Sequence, residues 1–244
     1  MEFSLLGAAA IGVGVLYAVL WWEAKRGNAA ACTKDLWDLA LGSAAAGLVV
    51  GRLATMIGNG VNPAAHLGDI IIVRAGVDTG WASLTALAVL SFMGRGEIRA
   101  VADGLAAAVL AGLAGWHGSC LFRDACLGTP SDLPWATSLD GSTVTRHPTE
   151  IYAALGFLAI AALLLAWKLR PPTLGLVGAT ALAAAGAIRL VTEPLRPALG
   201  GRPNLWYAAA IIAGAGSAMV LTARARRTRG KAPLRENGTR DRAP

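Results

Sequence analysis

Three side chains near the end of an apolar run could do ionic chemistry together: Arg189, Glu193 and Arg196, in the stretch Gly186-Ala-Ile-Arg-Leu-Val-Thr-Glu-Pro-Leu-Arg196. On a helix, Arg189 and Glu193 lie at i and i+4 and share one face, about 6 Å apart along the axis. In water that spacing makes a solvated ion pair. Here the residues from Thr173 to Leu190 are nearly all Ala, Leu, Gly and Val. An ionisable group at membrane depth is costly unless it faces a partner or a wet cavity. A buried pair that locks two helices is the structural alternative; further charges at the same depth favour a functional site. Pro194 and Pro197 stop the helix, so Arg196 is expected to leave it and lie at the surface.

The further charges are Arg52, Arg74, Asp78, Arg123, Arg146 and Arg202. Guanidinium groups match phosphate oxygens two at a time, so arginines gathered on one membrane face suggest an anion cavity, with a phospholipid headgroup as the anion at that depth. Salt bridges to Asp69, Asp78, Asp124, Asp132 and Glu150 are the plainer explanation. His147, ahead of Pro148, is expected to be extended and able to point inward from the rim, with Arg146, Glu150 and Tyr152 beside it.

The elements that must position these groups follow from composition. The 244 residues are 55% hydrophobic and 15% charged, with a mean hydropathy of +0.53. Soluble domains carry roughly a quarter charged residues, so this is an all-α integral membrane protein. Seven apolar stretches are long enough, or nearly so, to cross about 30 Å of hydrocarbon: Phe3–Trp22, Leu39–Ile57, Gly80–Met93, Ile98–Trp116, Ile151–Trp167, Thr173–Leu190 and Leu205–Thr222. The third is short and could begin near Ile70, with a break around Arg74–Asp78. Lys25, Arg26, Lys34, Arg95, Arg99, Lys168 and Arg170 all fall on one side, which the positive-inside rule makes cytoplasmic. The N-terminus is then outside and the C-terminus inside. Residues 1–223 form the membrane domain, with 117–150 as an extracytoplasmic loop region, and 224–244 form a basic, disordered tail.

The net charge is +7, crowded into that tail. Beside a membrane helix it marks a cytoplasmic end near anionic lipid rather than a nucleic-acid site. No cleavable signal peptide is expected, since Met1-Glu2 lacks a basic n-region. Cys32 falls on the inner side. Cys120 and Cys126 fall together on the outer side, where a disulfide is possible if the compartment oxidises. Two thiols without matching histidine or cysteine ligands do not make a zinc site.

Arg146-His-Pro-Thr-Glu-Ile-Tyr152, then Arg170-Pro-Pro-Thr-Leu-Gly175, then Gly186 to Arg196 resemble the C-terminal half of prolipoprotein diacylglyceryl transferases. Gly128-x-Pro-x-Asp-Leu-Pro-Trp-Ala136, Gly51-Arg52 and Asp103 also look like that family. The resemblance implies transfer of a diacylglyceryl group from phosphatidylglycerol to the lipobox cysteine of a preprolipoprotein, at the outer leaflet of a bacterial plasma membrane, without a cofactor. By position it implies active-site roles for Arg189 and Glu193, and Arg196, Arg52 and the His147–Tyr152 segment match its recurring motifs. His147 is taken as a further catalytic candidate, and Arg52, Arg146, Tyr152, Arg196 and His117 as substrate contacts. The chain departs from the family in three places, the first being the missing tyrosine of the first span, where Phe3 is the nearest aromatic. No histidine stands in Val77-Asp-Thr-Gly-Trp-Ala-Ser83, where a His-Gly-Gly segment belongs. The Gly-Arg-x-x-Asn signature is replaced around Gly115-Trp-His-Gly-Ser-Cys120, with Trp116 or His117 at the arginine position. A catalytically silent relative that binds lipid or a partner protein, and a transferase with another acceptor, are the alternatives.

Overall fold

A computed structural model describes residues 2–26, 32–71, 76–122, 126–138, 141–170, 173–197 and 203–230. The chain folds as α1 (Glu2–Arg26), α2 (Leu36–Gly58), the short α3 (Gly68–Ile71), α4 (Thr79–Met93), α5 (Ile98–Gly118), α6 (Thr149–Lys168), α7 (Leu176–Thr192) and α8 (Asn204–Gly230). Strands β1 (Leu127–Pro130) and β2 (Arg146–Pro148) pair antiparallel in the loop before α6. Six of the helices are long and apolar enough to span a bilayer. The seventh, α4, has 15 residues, about 22 Å at 1.5 Å each, and falls short of a full crossing.

Local chemistry sets the helix starts. Asp35 caps α2, its Oδ1 accepting from the Trp37 and Asp38 amides at 2.8 and 3.3 Å. Asp78 caps α4 through the Trp81 amide at 3.0 Å. Such caps satisfy amides that a first turn leaves open. The third expected span does break where the sequence suggested, between α3 and α4, although residues 72–75 lie outside the described residues. The sixth begins at Leu176 rather than Thr173, because Gly175 takes φ 91° and cannot continue a right-handed helix from upstream. Asp103, buried in α5, then caps α7 from across the bundle, accepting from the Gly175 and Gly178 amides at 2.6 and 2.8 Å.

α5 is the central helix: 67% of its apolar window is buried, against 6% for α8. Its Ala107, Leu110, Ala111 and Ala114 pack with Ala153, Phe157, Ala161 and Leu164 of α6 and Val177 and Ala181 of α7. Small residues permit close approach, since lipid offers no hydrophobic drive between helices and packing must supply the attraction. A Cβ added at Gly47 would sit 2.5 Å from the Ala82 carbonyl oxygen of α4, and one at Gly214 2.5 Å from the Ala183 nitrogen of α7. At the entry to α2, Glu97 accepts from the Thr33 hydroxyl at 2.6 Å and its amide at 2.8 Å. These bonds hold its carboxyl below the ordinary glutamate range.

The tail expectation needs one correction. α8 continues through Gly230, so residues 224–230 are helical rather than disordered, since Arg224, Ala225, Arg226 and Arg227 are good helix formers that extend the preceding apolar run. The residues from 231 on lie outside the described residues.

Removing the Asp103 carboxylate leaves the start of α7 without its cap. Asp103→Ala is expected to cost about 1–2 kcal/mol, measured as a lower thermal midpoint of the purified protein, with Asp103→Asn intermediate. An unchanged midpoint would show that α7 does not need this cap.

Candidate active site

The ends of α5, α6, α7 and α8 meet at one end of the bundle and bring their charged residues into a row. Arg189 and Glu193 make the expected pair, Nη2 to Oε2 at 3.6 Å. Glu193 Oε2 also takes Arg196 Nη1 at 3.5 Å. Arg196 Nε reaches Glu150 Oε1 at 3.3 Å, and the other oxygen of Glu150 meets His117 Nδ1. The order is therefore His117, Glu150, Arg196, Glu193, Arg189, with charges alternating along it.

Each link has a local cause. Pro194 turns the chain after Thr192 into a 3-10 segment, Glu193–Leu195. Its Leu195 carbonyl accepts from the buried Thr149 hydroxyl at 3.1 Å, which fastens this turn to the start of α6 beside Glu150. Arg196 leaves the helix as expected, but its side chain is half-buried between two carboxylates rather than at the surface. The His117 ring stacks on Phe157 at 5.4 Å between centroids. On α8, the Tyr207 hydroxyl lies 3.3 Å from Arg189 Nη2 and its ring 5.5 Å from the guanidinium carbon. Gly186 allows this: a Cβ there would sit 2.7 Å from the Tyr207 carbonyl oxygen.

One nitrogen of Arg189 is left unsatisfied: Nη1 is buried and has no hydrogen-bond partner. A guanidinium N–H left unpaired away from water is costly, so this atom marks where an acceptor is missing. Among the described residues no group of three His, Cys, Asp or Glu side chains could hold a metal ion.

The other sequence candidates sit apart from the row. Arg52 is buried in α2 and holds the chain between α2 and α4, its Nε donating to the Asp69 carbonyl at 2.8 Å and its Nη1 to the Gly76 carbonyl at 3.1 Å. Arg146, in β2, donates to the Gly128 carbonyl at 3.3 Å. His147 and Tyr152 meet each other, Nδ1 to hydroxyl at 3.4 Å, and Trp135 Nε1 donates to the same hydroxyl at 2.7 Å. They form a patch between the loop and the first turn of α6, with no side-chain bond to the charged row among the described residues. Arg74, Arg123, Asp124 and Arg202 lie outside the described residues. The sequence does not single out Tyr207, and it marks Glu150 as a salt-bridge partner and a neighbour of His147 but not as a candidate site residue. Tyr207 follows Pro203 at the start of an apolar run, which reads as an ordinary interfacial aromatic.

Cys120 and Cys126 are joined in a disulfide that closes the turn after α5, just beyond His117. Cys32 is the free cysteine.

The profile of the family described as Prolipoprotein diacylglyceryl transferase matches residues 2–222. A curated protein of Streptomyces coelicolor, "Phosphatidylglycerol--prolipoprotein diacylglyceryl transferase 2", is 28% identical over 238 aligned residues, covering 85% of this chain and 73% of that protein.

With the disulfide closed, an alkylating reagent applied to the denatured, unreduced protein should modify Cys32 alone, and all three cysteines after reduction. Intact-mass measurement reads this directly; three adducts without reduction would show the turn to be open.

Proposed function

Because the chain belongs to the prolipoprotein diacylglyceryl transferase family, we propose that it transfers the diacylglyceryl group of phosphatidylglycerol to a lipobox cysteine thiol of a prolipoprotein; the Streptomyces relative's name gives phosphatidylglycerol and prolipoprotein as that protein's substrates. The observation that carries this reading is the buried Arg189 with an unpaired Nη1, backed by Tyr207 and braced by Glu193.

In the reaction the cysteine sulfur bonds to the glyceryl carbon while that carbon's bond to the phosphate oxygen breaks. The products are a thioether and glycerol phosphate, and the thiol proton must leave. The nucleophile is the thiolate. Arg189, with Arg196 beyond Glu193, would hold the phosphate and stabilise the charge it gains as the bond breaks. Fixed donors do this best in a site closed to water. The thiol proton needs a base. His117, with Nδ1 turned to Glu150, keeps the lone pair on Nε2 and is favoured for this role by its place in the row. His147 is the second candidate, at the rim beside Tyr152.

The membrane reading places this row at the outer leaflet of a bacterial plasma membrane, with the C-terminus inside. Its support is the gathering of Lys25, Arg26, Lys34, Arg95, Arg99, Lys168 and Arg170 at the opposite end of the helices. One feature favours a silent, lipid-binding relative instead. Within the row two carboxylates face two guanidinium groups, so the row offers little net positive charge to a phosphate.

Purified protein incubated with phosphatidylglycerol and a lipobox peptide should yield a diacylglyceryl-modified cysteine by mass spectrometry. Arg189→Ala should lower product at least about 100-fold with helical content retained, and Arg189→Lys should not restore it, since lysine lacks the two-pronged fork. His117→Gln should cost more than His147→Gln. No modified cysteine from the unaltered protein supports the silent reading, and full activity in Arg189→Ala removes Arg189 from the site.

A further inference from the structure

The opposite end of the bundle holds a second buried charge cluster, which the transferase chemistry leaves unused. Glu23, near the end of α1, is 1% exposed. Its Oε1 accepts from Lys168 Nζ at 2.7 Å, and the same ammonium donates to the Gly104 carbonyl at 3.1 Å. Asp103 neighbours that ammonium as well, with both of its own oxygens engaged by the α7 amides. Glu23 Oε2 is buried and has no hydrogen-bond partner.

Glu23 is among the residues that line a cavity of about 270 Å³, with Tyr17, Trp21, Trp37, Leu36 and Lys34. Two further polar residues of the wall are engaged elsewhere. Asp35 caps α2, and Lys34 Nζ donates to the Met93 carbonyl. The Lys25 ammonium already rests over Trp21, 3.7 Å from the ring centroid. Tyr17 and Trp21 are half exposed on the outer face of α1, which an apolar helix turns to lipid.

We propose that this cavity binds a primary ammonium group, supplied by the headgroup of an ethanolamine-type phospholipid. An unpaired buried carboxylate oxygen calls for an N–H donor, preferably a charged one. Aromatic walls favour a cation over a neutral donor. A primary ammonium has three N–H donors to offer; a quaternary one has none and would leave Oε2 unsatisfied. The cavity is small beside the roughly 300–1,000 Å³ of sites for larger ligands, which suits a headgroup with its chains left in the bilayer. The inference stands apart from the transferase reading, and free amines share the same chemistry.

Full-length protein in detergent, followed by native mass spectrometry, tests it with ethanolamine, choline and glycerol phospholipids of identical chains, and with free ethanolamine as competitor. The ethanolamine lipid should bind about tenfold more tightly than the choline lipid. Glu23→Gln should remove that preference and leave phosphatidylglycerol binding unchanged. Trp37→Leu, which keeps the Glu23–Lys168 pair, should also weaken the ethanolamine lipid and serves should Glu23→Gln misfold. Displacement of the lipid by millimolar free ethanolamine would keep the ammonium site and overturn the lipid as its source. Equal retention of ethanolamine and choline lipids, or unchanged affinity in the variants, overturns the proposal.

Discussion

Ions within a bilayer must neutralise one another, and the row from His117 through Glu150, Arg196 and Glu193 to Arg189 is how this chain meets that demand. The charges in the row come from the end of α5, the start of α6, the end of α7 and the turn that follows it, so no single element could carry the row alone. Separating any member would strand its neighbour. Breaking a buried ion pair typically costs about 3–5 kcal/mol, because the partner left behind remains desolvated. The convergence of α5, α6 and α7 is thus tied to the pairing of their charges. The same pairing fixes the geometry from which Arg189 presents an unengaged N–H.

The rest of the bundle makes that convergence possible. Alanine and glycine let backbones approach where larger side chains would hold them apart, most directly at Gly186, where α8 comes close enough to set Tyr207 beside Arg189. The loop between α5 and α6 is pinned by the Cys120–Cys126 disulfide at one end and the β1–β2 pairing at the other. Gly128 admits the Leu195 carbonyl, to which a Cβ would come within 2.5 Å. At the far end, the Asp103 cap and the Glu23–Lys168 pair hold α1, α5, α6 and α7 together in a similar way. Two buried polar clusters, one at each end, clamp an apolar middle.

Much of this was legible in the sequence because helix geometry is local. The Arg189–Glu193 pairing needs only a spacing of four, and the break before the third span needs only Gly76 and the capping residue Asp78. What could not be read depends on tertiary contact. Glu23 and Lys168 are 145 positions apart, and nothing near Glu23 announces its partner; Lys25 and Arg26 beside it read as an ordinary basic helix end. Arg52 and Arg146 carry the residue type of a phosphate ligand, yet their guanidinium groups bond to backbone carbonyls of Asp69, Gly76 and Gly128. Composition does not distinguish an arginine that organises a loop from one that meets a ligand. His117 shows the converse: with Trp116 it is one of two residues at the family's signature arginine position, and its tie to Glu150 emerges only once α5 and α6 are packed.

The central claim is that a lipid phosphate completes the coordination of Arg189. Solid-state NMR of the protein in bilayers of phosphatidylglycerol, with guanidinium nitrogens labelled, measures phosphorus–nitrogen dipolar coupling directly. The account predicts a coupling characteristic of hydrogen-bond distance that disappears on replacing Arg189 and persists on replacing Arg146. A coupling untouched by loss of Arg189, or none at all in the unaltered protein, would contradict it.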